Sequence, residues 1–79
     1  MNERETIAEL ERLAEAAYAD MYDALPRDVK DCYDDALLYF GKAIEMAQQA
    51  GLTDEAARLT RRREQVRAVY DSQFRDVGR

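Results

Sequence analysis

Histidine and tryptophan are absent from this chain of 79 residues, cysteine and proline occur once each, and glycine three times. Without histidine the commonest general base and the commonest metal ligand are missing, so neither Ser72 nor Cys32 has an imidazole to activate it. A single cysteine excludes an intramolecular disulfide, which fits a reducing cytosol. The three glycines stand apart at 41, 51 and 78, so there is no glycine-rich phosphate loop. No stretch approaches the roughly 18 apolar residues of a membrane span. The start, MNERETIAELERL, carries glutamates where a signal peptide would be apolar. The expectation is a soluble, cytoplasmic protein with no catalytic residues, cofactor or metal.

What is present is charge and helical periodicity. The net charge is −5, unevenly spread: residues 1–35 hold 11 carboxylates and 4 cations, residues 36–79 hold 6 and 8. Such an acidic chain repels phosphate and attracts basic protein surfaces. Its length gives one domain, 1–79, with a thin core that buries only about 60–65% of the unfolded surface.

Apolar residues recur at steps of three and four throughout, with no alternating stretch that would make a strand. The spacing predicts an all-α, antiparallel three-helix bundle, with helices at about 3–25, 28–50 and 53–76. The first carries Ile7, Leu10, Ala14, Ala17, Met21 and Ala24, flanked by Leu13, Tyr18 and Leu25. Asn2 with Glu5, or Thr6 with Glu9, supplies its capping box. Pro26 ends the helix or kinks it. Asp28 is the expected cap of the second helix, whose core line is Val29, Tyr33, Ala36, Phe40, Ala43 and Ala47. Cys32, Leu37, Tyr39, Ile44 and Met46 widen that face enough to touch two neighbours, which makes this helix central. Gly51 suits a left-handed C-cap with Leu52 folding back, and Thr53 is expected to cap the third helix. That helix aligns Ala56, Leu59, Val66, Tyr70, Gln73 and Val77, with Val69 and Phe74 beside them.

The stretch YDDALLYFGKAIEMAQQAG (33–51) resembles the second helix of a tetratricopeptide repeat, with Tyr33, Ala36, Phe40 and Ala43 at that family's spacing. The resemblance extends over residues 33–59. Upstream, Pro26 and RDVKD stand where the repeat's first helix belongs, and the proline expected after the second helix is absent. The same stretch is similar to the microtubule-interacting-and-trafficking domain, a three-helix bundle, in its Tyr33-Asp-Asp-Ala-Leu pattern and charged third helix. Both resemblances imply a helical module that binds other proteins.

Three features are candidates for function. Asp28, Asp31 and Asp35 lie at i, i+3 and i+7 with Asp34 adjacent, which suits a solvated acidic patch better than a cation site lacking a glycine turn. Together with Asp20, Asp23 and the tyrosine furthest from the first helix's core line, Tyr22, they form an acidic rim. Leu38 projects opposite the second helix's core line, among Asp34, Gly41, Lys42 and Glu45, and the mid-helix glycine beside it would let another helix approach closely. Arg58, Arg61, Arg62, Arg63 and Arg67 point nearly all round the third helix and do not form one basic stripe, so pairing with the acidic half is favoured over nucleic acid. Arg63 falls on the apolar line and should lay its stem on the core while its head meets a carboxylate or a tyrosine hydroxyl. Tyr70 is read as structural.

The expectation is a non-enzymatic adaptor or inhibitor that captures a partner protein through Asp20, Tyr22, Asp23, Asp28, Asp31, Asp34 and Asp35. Leu38 with Gly41 is a second surface or a homodimer seam. The rival is a phage or mobile-element inhibitor, anti-CRISPR-like, whose acidic face mimics DNA and blocks a nucleic-acid-binding complex.

Overall fold

The computed structural model describes residues 2–74. Helix α1 (Glu3–Asp23) is followed by a 3-10 turn (Pro26–Asp28), α2 (Val29–Gln49), α3 (Thr53–Val69) and a π-helical turn (Tyr70–Phe74). There is no strand among the described residues. The expected end of the third helix at about 76, and Val77, lie outside them.

Helix α1 starts where the Asn2 side chain accepts the Glu5 backbone N–H at 2.9 Å, so Asn2 is the cap and not Thr6. It ends two residues earlier than expected. Ala24 and Leu25 are extended (ψ 150° and 149°), the conformation forced on a residue preceding proline. Pro26 therefore breaks the chain's helical path. Leu25, expected beside the core line, leaves the helical register and stands 56% exposed.

Asp28 does not cap α2 with its side chain. The Pro26–Asp28 turn, closed by Asp28 N–H donating to Leu25 C=O at 2.8 Å, already has near-helical backbone and runs straight into α2. The other end of α2 follows the expected form. Gly51 takes φ +74°, its N–H donates to Gln48 C=O at 3.1 Å, and Leu52 N–H donates to Ala47 C=O at 2.8 Å. This is a Schellman end, and Leu52 packs back on the core. Its consequence reaches α3: Leu52 C=O accepts the first intrahelical bond, from Ala56 N–H at 2.9 Å, so Thr53 is inside the helix and caps nothing.

All six predicted core-line residues of α2 are buried, and Ile44 with them. They meet Ile7, Ala14 and Met21 from α1 and Ala56, Leu59 and Val66 from α3 around a fully buried Phe40. Helix α2 packs on both neighbours, most extensively on α1. On the α3 side Tyr33 stacks flat on Tyr70, with centroids 3.8 Å apart and planes 8° from parallel. Gln73, expected on the core line, is exposed, and Phe74 is half-buried in its place. The wider i→i+5 turn of a π-helix advances the register there by one residue.

Candidate protein-binding surface

Short connections make α1 and α2 antiparallel, so the last turn of α1 and the first turns of α2 share one end of the bundle. Asp20, Asp23, Asp28, Asp31, Asp34 and Asp35 come from those turns. The thiol of Cys32 reports how they converge. Burial pushes its pKa up first, and Asp20, Asp35, Asp28 and Asp31 push it further in that order. Carboxylates of α1, the 3-10 turn and α2 thus all favour the protonated form of one half-buried thiol.

Asp34 stands apart, because Lys30 Nζ grips both its oxygens at 3.1 and 3.0 Å and is held more firmly protonated by it. Asp28 has only a loose approach from Arg27, at 3.9 Å. Asp20, Asp23, Asp31 and Asp35 have no ion pair with any described residue. Asp20 and Asp23 also sit in the last turn of α1, which holds no basic residue. There the helix dipole disfavours a negative charge by about 0.3–1 kcal/mol each. Asp31 is placed differently, in the first turn of α2, where the dipole favours a carboxylate.

Tyr22 is 53% exposed, as expected, but on a different flank from Asp20. Its hydroxyl lies 3.1 Å from that of Tyr18, and its ring meets Tyr18 and Phe74 edge-on at 5.7 and 5.0 Å. The hydrogen bond from Tyr22, with some burial, raises the Tyr18 pKa. Tyr22 therefore belongs to an aromatic edge between α1 and the π turn, beside the acidic rim. Leu38 is 53% exposed on the outer side of α2, about 10 Å along the helix from Asp31. The structure thus brings the aspartates together at one end, and Leu38 and Gly41 continue from Asp31 and Asp34 along the same outer side of α2.

Two arginines of α3 pair with the acidic first half, as expected. Arg58 reaches across to α1 and grips Glu11 through Nη1 at 2.7 Å and Nη2 at 2.8 Å, while its Nε binds Glu55 at 2.7 Å. One turn on, Arg62 grips Glu15 at 2.6 and 2.8 Å and lies over the Tyr18 ring, 5.2 Å from its centroid. Arg58 holds the carboxyls of Glu11 and Glu55 below their ordinary value. This seam joins the parallel helices α1 and α3. Its signal was present in the sequence, since Glu11/Glu15 and Arg58/Arg62 share a four-residue step, but composition alone does not pair them. Arg63 does lie on the core line, yet its head finds neither carboxylate nor hydroxyl within hydrogen-bond reach. Its Nε is buried without a partner among the described residues, and Glu64 comes no nearer than 3.7 Å.

Among the described residues there is no group of three or more carboxylates or thiols placed to hold a metal, and no helix long and apolar enough to cross a membrane. An open, polar depression of about 590 Å³ lies at the opposite end, lined by Arg4, the Gly51–Glu55 turn, Arg58 and Arg61. No protein family, curated protein or solved structure matches the chain.

Proposed function

We propose that this chain is a non-enzymatic binding module that captures a basic surface of another protein through its acidic end. The observation that carries this reading is the gathering of Asp20, Asp23, Asp31 and Asp35 at one end without an ion pair to any described residue, two of them opposed to the dipole of their own helix. Carboxylates not tied up in ion pairs are available to a partner. Arginine or lysine side chains of the partner would meet Asp20, Asp23, Asp28, Asp31 and Asp35, with Tyr22 adding aromatic contact at the edge. The lack of histidine supports a role without catalysis. The family resemblances of residues 33–59 support a helical protein-binding role.

The test is titration of a fluorescent arginine-rich peptide into the chain at low and physiological salt. The rim reading requires binding that falls when Asp20, Asp23, Asp31 and Asp35 are changed to Asn. Equal binding by that variant rejects it. Should a nucleic-acid-handling protein of the host be captured and released by duplex DNA, the same end acts as a mimic of the phosphate backbone, with a steep salt dependence.

A further inference from the structure

We infer that the outer face of α2 is a docking site for a basic amphipathic helix of another protein, which crosses α2 over Gly41 and sets an apolar side chain on Leu38. This deepens the protein-binding reading and rests on it, sharing Asp31, Asp34 and Asp35 with the acidic end but not Asp20 or Asp23.

The two described glycines explain themselves differently. Gly51 has φ +74°, a backbone conformation that side chains rarely adopt, so the chain needs glycine there. Gly41 lies in the middle of α2 with no such requirement. A Cβ built on it would meet nothing within 4 Å. No described neighbour uses the missing methyl, although glycine in a helix interior is less favourable than alanine. A helix approaching from outside does use it, because the spacing between crossed helices is set by the side chains at the contact.

Leu38 supplies the second observation. It lies three residues before Gly41, on the neighbouring turn, and is one of three large apolar side chains that stand exposed among the described residues. Burying its exposed half on a partner would remove apolar surface from water. The flanking charges specify the visitor. This face carries Asp31, Asp34, Asp35 and Glu45 against Lys30 and Lys42, and Lys30 is already held by Asp34. Two copies of the chain meeting here would set this negative excess against itself. Lysines or arginines beside an apolar stripe match it. A single-helix contact of this kind falls below the standard interface size of roughly 1,200–2,000 Å² and makes a transient complex.

The probe is a synthetic helical peptide of Leu and Ala along one stripe with Lys on both flanks, titrated into the ¹⁵N-labelled full chain, with a Glu-flanked peptide as control. Expected are amide shifts centred on Leu38 and Gly41, and loss of those shifts in Leu38→Arg. Gly41→Ala should raise the Tm of the free chain while weakening the peptide about tenfold, a loss of about 1.4 kcal/mol. That opposition keeps misfolding from counterfeiting the result. Asp20→Asn/Asp23→Asn should leave the α2 shifts in place. Shifts confined to the acidic end overturn the α2 site and leave the proposed function standing. No response anywhere to the Lys peptide overturns both. Equal affinity for Gly41→Ala, or a concentration-dependent dimer that Leu38→Arg breaks, overturns the inference, the latter in favour of a second copy.

Discussion

Arg58 and Glu11, 47 residues apart, face each other across α1 and α3 with two parallel hydrogen bonds of 2.7 and 2.8 Å. Arg62 and Glu15 repeat that separation one turn further on. Two such forks in register make a seam of charge where a small bundle would otherwise place a third apolar interface. Pairs of this exposure contribute modestly each, and a planar guanidinium in a fork does better than a lone ammonium.

The seam gives the fold an acid limit. Glu11 and Glu55 titrate below their ordinary 4.5 because Arg58 donates to both. Depressed carboxylates contribute their full stabilisation above the unfolded value and lose it as pH falls through the folded one. Thermal denaturation followed by circular dichroism should therefore show Tm falling below about pH 4.5. In Glu11→Gln/Glu55→Gln that decline should be shallower and the Tm at pH 7 lower. Parallel curves for the two proteins would reject the seam's role.

Relieving the last turn of α1 should stabilise the free chain. Asp20→Asn and Asp23→Asn each remove a negative charge from the negative end of a helix and should gain about 0.3–1 kcal/mol at low salt. Urea denaturation measures this, and 1 M NaCl should erase most of the gain. A loss of stability in either variant would mean that these aspartates have a structural partner.

Cys32 should be slow to alkylate. With its thiol pKa raised by burial and by Asp20, Asp35, Asp28 and Asp31, little thiolate exists at pH 8. Iodoacetamide should label the folded chain well below the rate of the urea-unfolded chain, and Asp20→Asn/Asp35→Asn should speed the folded reaction. Identical folded and unfolded rates would show that the carboxylates do not reach the thiol.

Arg63 and Phe40 should respond in opposite directions. Arg63→Met keeps the stem's packing and removes a buried Nε that has no partner, so about 1 kcal/mol of stability is expected to return. Phe40→Ala empties the centre of the core at 0% exposure and should cost about 3–5 kcal/mol, enough to unfold so small a domain. Chemical denaturation of both variants checks the pair, and a destabilised Arg63→Met would mean that its head is bonded in solution.

Much of this architecture was legible in residue order. The core line of α2 and the Gly51–Leu52 turn depend on local rules, periodicity and one left-handed residue, and both appear as expected. The misses share another cause. Asp28 and Thr53 have the right chemistry for caps, but the backbone reaches each already turning, from a 3-10 turn and from a Schellman end, and neither side chain makes a cap hydrogen bond. Leu25 and Gln73 follow a continuous helical count that Pro26 and the π turn interrupt. The exposure of Tyr22 and Leu38 follows from their angle on the wheel, whereas Phe74 against Tyr22 depends on how far α3 turns before it arrives.

The short connections also set the order in which the chain can assemble. With α1, α2 and α3 each docking on its neighbour in sequence, most contacts close small loops, and chains of low contact order fold in microseconds to milliseconds. The α1–α2 hairpin is complete by Gln49, before the residues of α3 are needed. The Glu11–Arg58 and Glu15–Arg62 forks each span 47 residues and can form only once α3 is in place.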